Sequence, residues 1–227
     1  MGLKNKKSTL TSHRLVNTKY PPIDLFESVA NPEDFEILYA IQALTNPRLR
    51  DEVGDIALID PKDIPYQCER GRSYAVGPFT HINPNGGRFN DGFFGALYVA
   101  DTEQTAVQEV KHHQQKYWAN VEGLAYDRFL FRSLVVTHRP NPVHVVQPSD
   151  KSILDPNHYN ASQQLAKDLK KDGFQAVQYP SVRHQGGMCW ALFTPKPVQD
   201  VIQGHLVEMI WNGEQIAEIN EVKNIGS

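Results

Sequence analysis

The residues best suited to chemistry in this chain begin at a pair of glycines. Gly86 and Gly87 predict a turn whose backbone takes a positive φ and exposes its N–H groups. Arg88 follows directly, and its guanidinium carries a fork of donors that fits a phosphate or a carboxylate. Tyr98 comes ten residues later, and Glu109 eleven residues after that. The glycine turn and the arginine together predict a cradle for an anion.

A strand and a helix are predicted to position the tyrosine and the glutamate. Residues 96–100 are short, apolar and bounded by Gly95, which is typical of a buried strand with Tyr98 in its middle. Asp101 and Gln104 have the spacing of a helix N-cap and its capping box. We therefore expect a helix over residues 102–118.

This predicted helix directs Glu109 towards the protein interior. At about 100° per residue, one apolar stripe contains Ala106, Val110, His113 and Tyr117. Glu109 lies within about 60° of the centre of that stripe. An ionised carboxylate that is buried without a partner is costly. We expect either Arg88 or a cationic, oxocarbenium-like substrate next to it.

Ser181 is a further candidate, much later in the chain. It follows a strand predicted over residues 174–179, and another strand is predicted over residues 188–193. No Gly-x-Ser-x-Gly elbow surrounds Ser181, which argues against a serine nucleophile. A hydrogen-bonding role is predicted for its hydroxyl group.

Together these motifs resemble the RES domain family, which is named for its arginine, glutamate and serine. The resemblance rests on GGRFN at residues 86–90, on Tyr98 and Glu109 in order behind it, on YPSVR at residues 179–183 and on GGMCWALF at residues 186–193. It covers residues 66–197. It implies a compact α+β domain with a mixed sheet core and flanking helices, similar to NAD-consuming ADP-ribosyltransferases.

The resemblance also implies a toxin of a bacterial toxin–antitoxin system. Members of the family break the nicotinamide–ribose bond of NAD by hydrolysis, by phosphorolysis or by transfer of ADP-ribose to a protein. An Xre-like, DNA-binding antitoxin blocks their active site. NAD is then a substrate, and no metal is expected. The activity is that of an NAD glycohydrolase or phosphorylase, with mono-ADP-ribosylation of a host metabolic protein as the alternative.

The resemblance assigns the catalytic site to Arg88, Tyr98, Glu109 and Ser181. An upstream arginine of the family corresponds either to Arg70 or to Arg72, and both alternatives stay open. NAD is therefore expected to be bound by Arg70, Arg72, Arg88, Tyr98 and Ser181. A guanidinium can anchor the pyrophosphate, and a phenol can shelter nicotinamide. An oriented carboxylate favours an oxocarbenium-like transition state over the ground state. The serine would position a ribose hydroxyl or the nicotinamide amide.

Composition excludes several other classes of protein. With 40% hydrophobic and 22% charged residues, the 227-residue chain has an ordinary globular composition. Its net charge of −3 argues against a broad nucleic-acid surface. Cys68 and Cys189 are too few for a disulfide framework and are predicted to be reduced thiols. No apolar run reaches the length of a membrane span. We expect a cytoplasmic protein without direct nucleic-acid or membrane contact.

We expect one domain with an N-terminal extension. Residues 1–20 are predicted to form a mobile tail, and residues 21–227 a single RES-type domain in which residues 21–65 are a helical extension. Helices are predicted from Asn31 to Thr45 and within residues 48–60. Strands are predicted over residues 128–136 and 143–146, and a helix over residues 161–172. The C-terminal segment, residues 198–225, predicts an added pair of strands.

Two other functions compete with NAD cleavage. Glu109 and His112 form a Glu-x-x-His pair on one side of the helix, as in di-iron carboxylate sites. Such sites need a second pair on another helix, whereas Asp155 and His158 lie in a predicted turn. A non-catalytic interaction module is the other alternative. It differs from the enzyme because it would release no nicotinamide from NAD.

Overall fold

The structure is a computed structural model, and the residues described from it are 9–20, 24–27, 31, 33, 37, 40, 54–55 and 58–223. The strands are β1 (Leu10–Asn17), β2 (Leu97–Ala100), β3 (Asp127–His138), β4 (Val143–Val145), β5 (Ala176–Pro180), β6 (Met188–Leu192), β7 (Val198–Trp211) and β8 (Ile216–Val222). The helices are α1 (Asp24–Glu27), α2 (Arg72–Thr80), α3 (Glu103–Trp118) and α4 (Asn160–Lys171), and a 3-10 turn spans Pro61–Asp63.

Within these described ranges, the eight strands form one mixed sheet in the order β4-β5-β6-β2-β1-β3-β7-β8. Strands β4 and β5 are parallel, and the other neighbouring pairs are antiparallel. A mixed sheet with separate helices is an α+β fold, so the predicted fold class is confirmed.

Each face of the sheet carries its own hydrophobic core. Successive strand residues point to opposite faces, and in β2 Leu97 and Val99 belong to one core while Tyr98 and Ala100 contact the other. Helix α2 contributes Ala75, Val76 and Phe79 to the first core. The second core is covered by Ala106 and Trp118 of α3 and by Ala166 and Leu169 of α4. The sheet is thus enclosed between helices on both sides.

The prediction of a mobile tail over residues 1–20 is wrong for Leu10–Asn17. These residues form β1, an interior strand that pairs with β3 along its whole length and meets β2 where His13 faces Ala100. A polar sequence can form this interior strand because its buried polar groups find partners inside the protein. Ser12 is fully buried, and its hydroxyl lies 2.8 Å from Nε2 of His138. Residues 1–8 lie outside the described part of the chain.

Helix α3 is confirmed, with two corrections to its details. Its N-cap is Thr102 rather than Asp101, whose N–H still donates to the carbonyl of Met188 in β6. The hydroxyl of Thr102 accepts from the amide of Thr105 at 3.1 Å. The predicted apolar stripe is also wrong at its last residue, because Tyr117 is 66% exposed. Trp118 is buried in its place at 3% exposure, and its ring stacks on that of Phe129 with ring centres 3.6 Å apart.

The remaining predicted elements agree with the structure in type and order. The C-terminal strand pair is β7 and β8, which form an antiparallel hairpin at one edge of the sheet. Helix α4 ends before Gly173, whose φ of +79° suits the residue after a helix. The helices predicted within residues 31–45 and 48–60 fall mostly outside the described residues. No helix among the described residues is long and apolar enough to cross a membrane.

Candidate active site

The candidate site is a cleft of about 220 Å³ that opens where β1 and β2 part. Residues 13–15 of β1 and 98–100 of β2 line it on either side of the His13–Ala100 pairing. Helix α3 forms another wall through Glu109, Val110 and His113. The cleft therefore brings Arg88, Tyr98 and Glu109 to one place.

The glycine turn positions Arg88 but does not offer the predicted cradle of free N–H groups. Gly86 takes a φ of +66°, as expected for such a turn. The amide of Gly86 donates to the Asn83 carbonyl at 2.8 Å, and the amide of Gly87 donates to the Asn90 carbonyl at 2.7 Å. Both donors are used to close the turn, so anion binding falls to the arginine side chain.

Arg88 has a buried cationic head with an unfilled donor. Its side chain is 7% exposed, and its Nη1 donates to the carbonyls of Ile153 at 3.1 Å and Asp155 at 2.7 Å. The guanidinium carbon lies 4.6 Å from the ring centre of Tyr159. Its Nη2 is buried and has no hydrogen-bond partner among the described residues. A buried donor without a partner is costly, so an anion bound here would relieve that cost.

Tyr98 supports the turn that carries Arg88. Its hydroxyl donates to Oδ1 of Asn90 at 2.7 Å and accepts from the amide of Phe89 at 2.8 Å. Burial raises the pKa of this phenol well above its ordinary value. With the hydroxyl occupied, the ring face is what Tyr98 offers to a ligand in the cleft.

Glu109 lines the cleft as the helical angle predicts, but its hydrogen bond comes from Ser181 and not from Arg88. Its Oε1 accepts a hydrogen bond of 2.6 Å from the hydroxyl of Ser181. That hydroxyl also accepts from the amides of Arg183 at 3.1 Å and His184 at 3.0 Å. Ser181 is therefore fixed by its own turn and in turn fixes the carboxylate, which fits the predicted hydrogen-bonding role.

Arg70 and Arg72, the two candidates for the upstream arginine, are not among the residues that line the cleft. Arg70 is largely exposed and pairs with Asp200. Arg72 is buried and donates to the carbonyls of Phe26, Tyr66 and Cys68. These contacts give Arg70 a surface ion pair and Arg72 a structural role.

The second arginine of the cleft is Arg14, which lies in β1. Its Nη1 donates to the carbonyl of Tyr98 at 2.8 Å, and its Nε is buried without a hydrogen-bond partner in the described part of the chain. Burial lowers the pKa of Arg14 to about 10, so it remains a cation at neutral pH. Sequence reasoning missed Arg14 because the strand that carries it was not recognised.

Three other side chains missed from the sequence also line the cleft, namely His113, Tyr179 and Cys189. The pKa of His113 is lowered by removal from water and then by the charges of Arg183 and Arg88. Burial raises the pKa of the Tyr179 phenol and of the Cys189 thiol. The stripe pattern had marked His113 only as apolar.

The metal alternative would need a cluster of ligand side chains around Glu109 and His112. Among the described residues, no group of three or more His, Cys, Asp or Glu side chains is arranged to hold a metal ion. His112 instead lies beside His113, with ring centres 5.4 Å apart.

Fold and cleft together describe an α+β domain whose candidate site combines buried arginines with a glutamate held by a serine. The chain belongs to the RES domain family, because the family's model matches residues 64–212, more than half of the chain. The match ends beyond the predicted residue 197 because it includes β7, the long strand that pairs with β3.

Two individual proteins are also similar to this chain. It is 25% identical over 222 residues to the uncharacterized protein y4oC of Sinorhizobium fredii (strain NBRC 101917 / NGR234), covering 95% of this chain and 89% of that protein. The crystal structure of the M. tuberculosis MbcT–MbcA toxin–antitoxin complex is similar with a TM-score of 0.40 and 16% identity. That similarity covers 56% of this chain and 73% of the other.

Proposed function

We propose that this protein cleaves the bond between nicotinamide and ribose in NAD, as a glycohydrolase or phosphorylase. One observation carries the proposal: Glu109, oriented by the Ser181 hydroxyl, lines the same cleft as the buried Arg88 with its unfilled donor. A cation for phosphate and a carboxylate for a growing positive charge are the two groups this reaction requires. Membership in the RES family supports the same reading.

The reaction proceeds by loss of nicotinamide from C1′ of the ribose. The C1′–N bond breaks, its electron pair leaves with nicotinamide, and positive charge grows on the ribose ring. The Glu109 carboxylate stabilises that charge more in the transition state than in the ground state. An oxygen of water or of phosphate then bonds to C1′, and its proton passes to solvent or to Glu109.

The remaining cleft residues bind rather than react. Two cations that line the cleft, Arg88 and Arg14, are available to the pyrophosphate, and the Tyr98 ring face is available to nicotinamide. A cleft of about 220 Å³ is below the roughly 300–1,000 Å³ of sites that enclose a whole drug-sized ligand. The cleft thus receives the nicotinamide–ribose end of NAD, while the adenosine end extends towards the surface.

Transfer of ADP-ribose to a host protein is the alternative outcome of the same chemistry. It differs only in the acceptor that reaches C1′, and the groups in the cleft are the same. In either case we propose a toxin, held in check by an antitoxin that covers the cleft. Such a partner is needed because free NAD cleavage in the cytoplasm would harm the host cell.

Product analysis tests the proposal. Purified protein is incubated with NAD, with and without phosphate and a cell extract, and the products are identified by mass spectrometry. Free nicotinamide is expected in every case. It should be accompanied by ADP-ribose after hydrolysis, by ADP-ribose 1″-phosphate after phosphorolysis, or by an ADP-ribosylated protein after transfer. Arg88→Ala should lower kcat/KM by at least about 100-fold, because it removes a buried charge-assisted contact of roughly 3 kcal/mol.

The matched control is Arg128→Ala. Arg128 is largely exposed and pairs with Glu208 on β7, away from the cleft lining. It should retain wild-type turnover. Absence of nicotinamide under every condition would contradict the proposal and favour a non-catalytic interaction module.

A further inference from the structure

A second arginine shares the loop that holds Arg88. Arg88 donates to the carbonyls of Ile153 and Asp155, and Nη2 of Arg183 donates to the carbonyl of the next residue, Pro156. Adjacent residues are about 3.8 Å apart along the chain. Neutral carbonyls on one short loop therefore hold two guanidinium groups close to each other, despite their like charge.

The turn that carries Arg183 is tied to helix α3, which supplies Glu109. The Ser181 hydroxyl accepts from the amides of Arg183 and His184, and Nδ1 of His184 lies 2.9 Å from the hydroxyl of Thr105. A Cβ at Gly187 would approach the Thr105 side chain to 2.7 Å, so the turn packs closely on the helix. Arg183 is thus held in a defined position relative to Glu109.

Arg183 does not itself line the cleft. Its amide donates to the Ser181 hydroxyl, which donates to Glu109 of the cleft wall, and its head has an unfilled donor of its own. Its Nε is buried without a hydrogen-bond partner in the part of the chain that the structure describes. Arg183 and Arg88 both lower the pKa of His113, a residue of the cleft wall, after the effect of its removal from water. The carbonyls of the adjacent residues Asp155 and Pro156 thus hold one arginine that lines the cleft and one that lies behind Ser181, each with one unused N–H group.

We propose that Arg183 is a second anion-binding residue, and that Arg183 and Arg88 together select ligands that carry a diphosphate. This rests on the proposed function, since it names the part of the substrate that the site recognises. A single phosphate can satisfy one of the two unfilled donors, whereas a diphosphate can satisfy both. Its charge also offsets the repulsion between the two guanidinium groups. A substrate with one phosphate, such as nicotinamide mononucleotide, should therefore be a poor substitute for NAD.

The test measures binding of ADP and AMP to the full chain by calorimetry. The wild type should bind ADP more tightly than AMP. Arg183→Ala should weaken ADP binding by about 10-fold or more while AMP binding changes little. Arg183→Lys should restore the charge but only part of the affinity, because an ammonium lacks the guanidinium fork. Arg128→Ala is the matched control and should behave as the wild type.

An Arg183→Ala variant that keeps the wild-type preference for ADP, with an unchanged melting temperature, overturns the inference. A wild type that does not distinguish ADP from AMP also overturns it. No bond breaks in this assay, so its result is independent of NAD cleavage. If ADP binding depends on Arg183 but no nicotinamide is released from NAD, only the proposed function is contradicted. If nicotinamide is released but Arg183→Ala keeps the wild-type preference for ADP, only this inference is contradicted.

Discussion

Ser181→Ala separates the orientation of Glu109 from its charge. The substitution leaves the carboxylate in place and removes the hydroxyl that donates to it at 2.6 Å. Hydrogen bonds to charged groups contribute about 1.5–3 kcal/mol. If that contribution is expressed fully in the transition state, kcat falls by roughly 10- to 150-fold, at about 1.4 kcal/mol for each factor of ten.

KM should rise as well, because the turn that holds Arg183 loses the same hydroxyl, but kcat should fall further, because Ser181 orients Glu109. The variant also leaves the amides of Arg183 and His184 without their acceptor, so the free energy of unfolding should fall by about 1–3 kcal/mol. Ser181→Thr retains a hydroxyl and should recover most of the lost kcat. The assay is steady-state release of nicotinamide from NAD.

The matched control is a serine–glutamate pair at the start of the same helix. Ser133 donates to Glu103, the first residue of α3, which does not line the cleft. Ser133→Ala removes an equivalent serine–glutamate bond and should lower stability without lowering kcat. An unchanged kcat in Ser181→Ala, or an equal loss in Ser133→Ala, would refute the reasoning.

Two further predictions concern stability. Tyr98→Phe should lower the free energy of unfolding by about 2 kcal/mol in urea titrations, because Asn90 and the Phe89 amide lose a buried partner; no change would contradict this role. Burial lowers the pKa of His138 to about 4. Between pH 6.5 and 4 the unfolded chain therefore binds a proton that the folded protein does not. The free energy of unfolding should decline by about 3 kcal/mol as the pH falls through that range. His138→Phe should flatten this decline, and an equal decline in both proteins would contradict it.

Local patterns predicted the parts of the site that depend on a single element. The helical angle placed Glu109 on the inward side of α3, and the short apolar run around Tyr98 identified β2. Both inferences depend only on the geometry of one helix or one strand, which the sequence period records directly. The family resemblance rested on the order and spacing of the motifs, which the sequence also shows directly.

The features that were missed depend on distant partners. Strand β1 can be polar and still lie inside the sheet, because the Ser12 hydroxyl forms its hydrogen bond with His138 far along the chain. No local hydrophobic alternation marks this strand. Because residues 1–20 were predicted to be a mobile tail, Arg14 was not considered, and Arg70 and Arg72 were the upstream arginines proposed. The glycine N–H groups were predicted to be available to an anion, because the carbonyls that accept their hydrogen bonds face them only once the turn has closed.

Glu109→Gln tests the central claim most directly. The amide keeps an oxygen that can accept from Ser181 and removes only the negative charge, so the fold and the affinity for ADP should be preserved. The measurement is the rate of nicotinamide release from NAD by Glu109→Gln, compared with wild type and with Glu103→Gln on the same helix. The account predicts a fall of at least about 100-fold for Glu109→Gln alone. Wild-type release by that variant would contradict it.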